Sequence, residues 1–338
     1  MKIIAVVLCL AFSACVSVPA PGAGSTSAQP AYDAELTNFS YPFPVSFHEL
    51  TTQRQTLRMA YLDVRPASPN GRTVLLLHGK NFGAYYWEPT IRALTDRGYR
   101  VIAPDQIGFG KSSKPAAYQF SFHTLAANTK SLLAGLGIDR AAVVGHSMGG
   151  MLATRFALLY PDFSEQLVLV NPIGLEDYRV GVPYRTVDEA YAAELKSTPD
   201  SIRAYQQRSY YAGEWKPEYE ELIDAAAGWT RHPDYPRVAW NAALTADMIV
   251  TQPVVHEFPQ VKVPTLLIIG LRDRTAVGSA WAPPAVAAAM GDYTRLGKSA
   301  AAAIPNARLV EISGVGHMPQ VEAFDQYIEA MTAFLGAR

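Results

Sequence analysis

The sequence predicts an α/β protein, a doubly wound and mostly parallel sheet carrying an inserted helical cap. Short continuous apolar runs alternate with stretches of helical periodicity, the pattern of strands and crossover helices in a parallel sheet. One such run, 141–144, leads through Gly145-His146-Ser147-Met148-Gly149 directly into a helical run at 150–160. Between two later strands the alternation breaks at 174–258, which is helical in pattern and rich in Tyr, Trp, Glu and Arg.

The N-terminus reads as a targeting segment. Lys2 precedes an apolar run, 3–12, that is too short to span a bilayer. Phe12-Ser13-Ala14-Cys15 resembles a bacterial lipobox, which implies cleavage before Cys15 and lipidation of its thiol; ordinary cleavage near Ala20 is the alternative. The expectation is an exported protein, periplasmic or anchored at the outer membrane, with secretion in soluble form as the alternative. Membrane contact is then through the lipid only, and each buried methylene contributes about 0.8 kcal/mol. Cys9 and Cys15 are the only cysteines, so the folded part has no disulfide, no cysteine metal site and no catalytic thiol. Residues 16–38 are rich in Pro, Ala, Gly and Ser and read as a flexible tether. This divides the chain into a signal segment (1–15), a tether (16–38), a core (39–173 and 259–338) and a cap (174–258).

Within the core, 57–64 alternates as a half-buried strand does, and 66–71 is a turn cluster. The runs 73–77 and 99–103 read as buried strands, the first on both faces, and 141–144, 166–170, 265–269 and 308–312 as further strands. Helices are expected at 87–97, with Gly98 closing it, at 122–136, stopping at Gly137, and at 324–335. The stretch 174–258 is too long for an irregular connection and reads as a helical insertion over the active edge of the sheet.

The 338 residues are 49% apolar and 17% charged, with a formal net charge of −1. That is a globular composition, and without a basic stripe nucleic acid is not an expected partner. No repeat of 20–50 residues shows. No HExxH and no clustered Asp/His pattern suggests a metal, and 105–112 lacks the spacing of a phosphate loop, so no cofactor is expected.

Strand, sharp turn and helix with a serine at the apex is the context that a G-x-S-x-G elbow requires. Its glycines admit a strained backbone and close packing of strand against helix. Together with Leu77-His78-Gly79, the 103–112 segment, Asp273 and Gly316-His317, this motif resembles the α/β-hydrolases of the capped type, over about 47–335. That group includes esterases, perhydrolases, dehalogenases, epoxide hydrolases and C–C bond hydrolases.

The resemblance implies a triad in the order Ser, Asp or Glu, His. Ser147 is then the nucleophile. His317, in the Gly-rich loop after the last strand, is its base. Asp273, just past the end of a strand, orients the base, since 170–172, where some relatives place the acid, offers no carboxylate; Asp292, in an extra segment, is the reserve candidate. Two backbone amides should receive the oxyanion: that of Met148, after the nucleophile, and one from the loop after the first buried strand, Lys80 before Asn81. Dehalogenases and epoxide hydrolases of this group carry aspartate at the apex, so Ser147 argues against both. The expected substrate is a small, apolar, ester-like molecule. C–C bond hydrolysis, lactone hydrolysis and aminopeptidase action share the triad, the last requiring a cap carboxylate from among Glu189, Glu194, Glu214 and Glu218. A non-catalytic binding protein is the alternative from another class. Trp215, Trp229, Trp240 and Trp281 either line an apolar pocket or pack the cap on the core, and 275–298 is expected to border the pocket mouth.

Overall fold

The structure, a computed structural model, describes residues 29–337. The expected signal segment, Cys15 and most of the expected tether lie outside the described residues. From Ala31 onward the chain forms one compact unit.

Among the described residues the strands are β1 (Val45–Thr52), β2 (Gln55–Val64), β3 (Thr73–Leu77), β4 (Arg100–Pro104), β5 (Ala141–His146), β6 (Ser164–Val170), β7 (Thr265–Gly270) and β8 (Ala307–Ile312). They form one sheet in the order β1-β2-β4-β3-β5-β6-β7-β8. The β1–β2 and β2–β4 pairs are antiparallel and all others parallel. Every run expected to be a strand is one. β1 was not expected. It is an edge strand joined to β2 by a tight turn in which Gln53 and Arg54 take φ of 48° and 64°. Such turns favour Gly, Asn or Asp, and their absence removed the local signal.

The helices are α1 (Glu88–Thr95), α2 (Phe122–Gly135), α3 (Met148–Leu159), α4 (Val187–Glu194), α5 (Pro199–Ser209), α6 (Glu220–Thr230), α7 (Tyr235–Thr251), α8 (Pro284–Ala289), α9 (Tyr293–Ala303), α10 (Pro319–Glu322) and α11 (Phe324–Gly336). Successive strand residues face opposite sides, so β3 sends Leu75 and Leu77 into one core and Val74 and Leu76 into the other. The first core is closed by α2, α3 and α9, through Leu125, Phe156 and Leu296. The second is closed by α1 and α11, through Ile91, Leu94, Tyr327 and Met331. Burial on both faces explains why the central strands read as unbroken apolar runs, whereas β8, at the edge of the sheet, is only partly buried.

The connectivity sets the position of the site. From β3 the chain passes to β4 on one side and returns to β5 on the other. Ligands in open α/β sheets bind at such a reversal, beyond the carboxyl ends of the strands. The loops that leave β3 and β5 are therefore neighbours. Between β6 and β7 the chain builds α4 to α7.

Residues 31–38, expected to belong to the tether, are part of the fold. Residues 31–38 pack on the folded unit, with Ala34 and Leu36 fully buried. Tyr32 N donates to Gly228 O at 3.1 Å and the Tyr32 hydroxyl to Asp224 at 3.1 Å, both on α6. Glu35 bridges Arg58 of β2 and Arg237 of α7, at 3.0 Å each. The stretch read as loose because it follows on from a run rich in Pro, Ala, Gly and Ser. One leucine and a series of long-range hydrogen bonds suffice to fix it.

Candidate active site

Ser147 stands at the junction of β5 and α3 with φ 56° and ψ −122°, a conformation that costs a non-glycine residue on the order of 1–3 kcal/mol. The surroundings enforce it. A Cβ on Gly145 would lie 2.0 Å from Gly149 O, and one on Gly149 would lie 2.1 Å from Leu77 O. Ser147 N donates to Val170 O at 3.2 Å, which ties the elbow to the neighbouring strand. Ser147 is 5% exposed, so the nucleophile is almost wholly enclosed by the protein.

Asp273 and His317 are brought together from loops after β7 and β8. His317 Nδ1 lies 2.6 Å from Asp273 Oδ2, and both residues are fully buried. Asp273 Oδ1 accepts from Thr275 N at 2.7 Å, and Oδ2 also accepts from the Asn171 amide at 2.9 Å. An acceptor-only carboxylate so held directs the imidazole proton to Nδ1. His317 Nε2 is buried and, among the described residues, has no hydrogen-bond partner. The reserve candidate Asp292 lies elsewhere, at the start of α9, partly exposed and facing Arg274 and Arg295.

The backbone of His317 is pinned from both sides. Its N–H donates to Tyr210 O at 2.8 Å, and its carbonyl lies 2.9 Å from His146 Nε2. The preceding Gly316 N donates to Glu322 at 2.9 Å, a carboxylate that also meets Arg272. Burial pushes the Glu322 carboxyl above its ordinary range.

The two residues expected to supply oxyanion amides flank the elbow. Met148 is the first residue of α3, where backbone N–H groups have no partner within the helix. On the β3 loop, Phe82 N closes a turn on Gly79 O at 3.2 Å. Gly79 N is itself committed to the Tyr86 hydroxyl at 3.3 Å, so Lys80 is the next residue whose amide the loop can offer. The Lys80 side chain pairs with Glu194 of α4 at 3.1 Å. Asn81 donates to the Tyr210 hydroxyl at 2.7 Å. Consecutive residues of this loop thus grip separate pieces of the cap, and the Tyr210 ring lies against His317 at 4.6 Å. Sequence reasoning missed Tyr210, Asn171 and Tyr86, whose roles come from contacts across more than a hundred residues or from a loop without a motif.

The cap carboxylates are mostly engaged elsewhere. Glu189 caps α4 with Thr186, and Glu214 pairs with Arg272. Glu194 is the one of these three that reaches the β3 loop. Of the four tryptophans singled out, three pack structurally: Trp215 on Tyr211 and Tyr219, Trp229 donating to Asp33 O, and Trp240 on Tyr191. Trp281 instead lines a cavity of about 260 Å³ between α4, α7 and the 275–283 segment. Its wall combines small apolar side chains, Ala190, Ala193, Val250 and Val277, with the charged Arg185, Glu194 and Asp247. No triad side chain lines that cavity; Glu194 and its partner Lys80 connect its wall to the β3 loop.

Comparison with known proteins agrees with this architecture. The sequence pattern of the alpha/beta hydrolase fold family matches residues 72–324. A haloalkane dehalogenase of Mycobacterium marinum is 30% identical over 235 residues, which are 62% of this chain and 75% of that protein. Lipase 1 of Psychrobacter immobilis is 28% identical over 274 residues, 78% of this chain and 77% of that one. The crystal structure of a probable hydrolytic enzyme from Pseudomonas aeruginosa superposes with a TM-score of 0.90 at 55% identity, covering 91% of this chain and 99% of that one.

Proposed function

Because this chain belongs to the α/β-hydrolase fold family, we propose that it is a serine hydrolase that cleaves a carboxylic ester, or a related acyl bond, of a small apolar substrate. The observation that carries this reading is the 2.6 Å bond between His317 Nδ1 and Asp273 Oδ2, which leaves His317 Nε2 as the basic nitrogen. A serine at the strained apex, rather than the aspartate of the dehalogenase type, makes an acyl-enzyme the natural intermediate.

Ser147 Oγ attacks the carbonyl carbon while His317 Nε2 takes its proton. The Met148 and Lys80 amides receive the oxyanion, each worth about 3–4 kcal/mol at the transition state. His317 returns the proton to the leaving alkoxide, and the alcohol departs. Water then adds to the acyl carbon as His317 takes its proton, and collapse frees the acid while His317 gives that proton to the departing Ser147 Oγ. Asp273 holds the imidazole tautomer through both halves. Glu194 and Glu214 are neutralised by cations, which argues against a subsite for a free amine.

A fluorophosphonate probe and p-nitrophenyl esters of graded chain length test the proposal. The expected result is labelling at Ser147, ester turnover, and a loss of kcat of about 10⁶ in Ser147→Ala. Folded protein that takes no label and turns over no ester would remove it. Export and lipidation at Cys15 belong to the same proposal. Cys15→Ala should move the protein from the membrane fraction to the soluble one, and unchanged fractionation would refute the anchor.

A further inference from the structure

We propose that Tyr86 and His146 are positioning residues that lock the oxyanion loop and the His317 loop to one another. The inference rests on the reading of Ser147 and His317 as reacting groups.

The hydrogen-bond chain has one consistent direction. Gly79 N–H can only donate, and it points to the Tyr86 hydroxyl at 3.3 Å. The Tyr86 hydroxyl lies 3.0 Å from His146 Nδ1 and gives its own proton there. His146 Nε2 lies 2.9 Å from His317 O, which can only accept, so Nε2 carries the ring proton. The imidazole of His146 is therefore neutral, with its proton on Nε2. Burial independently holds His146 well below the ordinary histidine range and Tyr86 well above the ordinary phenol range. Both groups thus keep the protons the chain needs.

The strut is rigid. Tyr86 stacks on Phe82 with ring centroids 4.6 Å apart, and the His146 ring lies 4.9 Å from that of His317. One end fixes the carbonyl of His317, whose N–H is already held by Tyr210. The other end takes the Gly79 amide out of the site. His146 adjoins the nucleophile in sequence, so all three loops of the reaction are referred to one imidazole. A displacement of about 1 Å in such an arrangement can cost on the order of 10² in rate.

The test is Tyr86→Phe, which keeps the stacked ring and deletes the hydroxyl. The expected result is a fall in kcat of about tenfold or more with KM within about twofold, because substrate contacts persist while alignment is lost. His146→Gln, whose amide can accept from Tyr86 and donate to His317, should retain more kcat than His146→Leu. Native protein carrying ¹⁵N-histidine gives a readout that needs no variant. The His146 signals should show a protonated Nε2 and a bare Nδ1, without titration between pH 5 and 8. A protonated Nδ1, a titrating ring, or wild-type kcat in folded Tyr86→Phe overturns the proposal. If native protein neither turns over esters nor takes the fluorophosphonate, the hydrolase reading fails instead, and the nitrogen spectrum still decides whether the strut exists.

Discussion

Asn171 holds the carboxylate of Asp273 from the neighbouring strand end. Its amide nitrogen donates to Asp273 Oδ2 at 2.9 Å, and its carbonyl accepts from Gly270 N at 2.8 Å. Asn171 takes φ 34°, a left-handed conformation that asparagine tolerates better than most residues. The end of β6 thus supplies a brace rather than an acid, and the acid comes from β7. A buried carboxylate with this many donors is a fixed acceptor for the imidazole.

Asp273→Asn should lower kcat by about 10⁴, because an amide cannot enforce the Nδ1-protonated tautomer. Asp292→Asn should leave kcat within about twofold, since that side chain serves Thr294 and nearby arginines at the surface. Steady-state kinetics on one ester compares the two. The reverse order of losses would reassign the acid.

Leu36→Ala should destabilise the fold by about 2–4 kcal/mol, the usual cost of emptying a fully buried leucine site. A freely moving tether predicts a change within about 0.5 kcal/mol. Urea unfolding monitored by tryptophan fluorescence separates these outcomes, with Trp229, bonded to Asp33 O, as a local reporter.

Lys114 gives a pH signature. Its ammonium is fully buried, donates to Gly110 O and Ser112 O, and lies over the Trp229 ring. Burial pushes its pKa down to about 7. In the unfolded chain a lysine titrates near about 10.4. Between these values the unfolded state binds the extra proton, so this group's contribution to stability rises with pH, by at most about 1.4 kcal/mol per unit. Below about pH 7 both states are protonated and the contribution is flat. Lys114→Met should remove this slope. Denaturation midpoints at pH 7, 8 and 9 measure it, and parallel curves for the two proteins would contradict the assignment.

The sequence by itself determined the sheet and the nucleophile. Strands buried on both faces leave continuous apolar runs, and the elbow writes its glycines and its serine into five consecutive residues, although Gly149 is also demanded by the backbone of Leu77. The alternation of strands with helices then fixed the parallel topology, because crossovers are right-handed and short. Tertiary structure decided what depends on meetings between distant segments. β1 pairs through a turn whose Gln53 and Arg54 carry no turn signature. Residues 31–38 hold to the unit through partners some two hundred positions away. The brace at Asn171, the Tyr86–His146 strut and the ring of Tyr210 over His317 are each a hydrogen bond or a ring contact, and such contacts impose no period on the chain. Hydrophobic burial repeats with the geometry of an element and can be read along the sequence. A polar contact depends on a single direction and distance in space, which only the folded chain supplies.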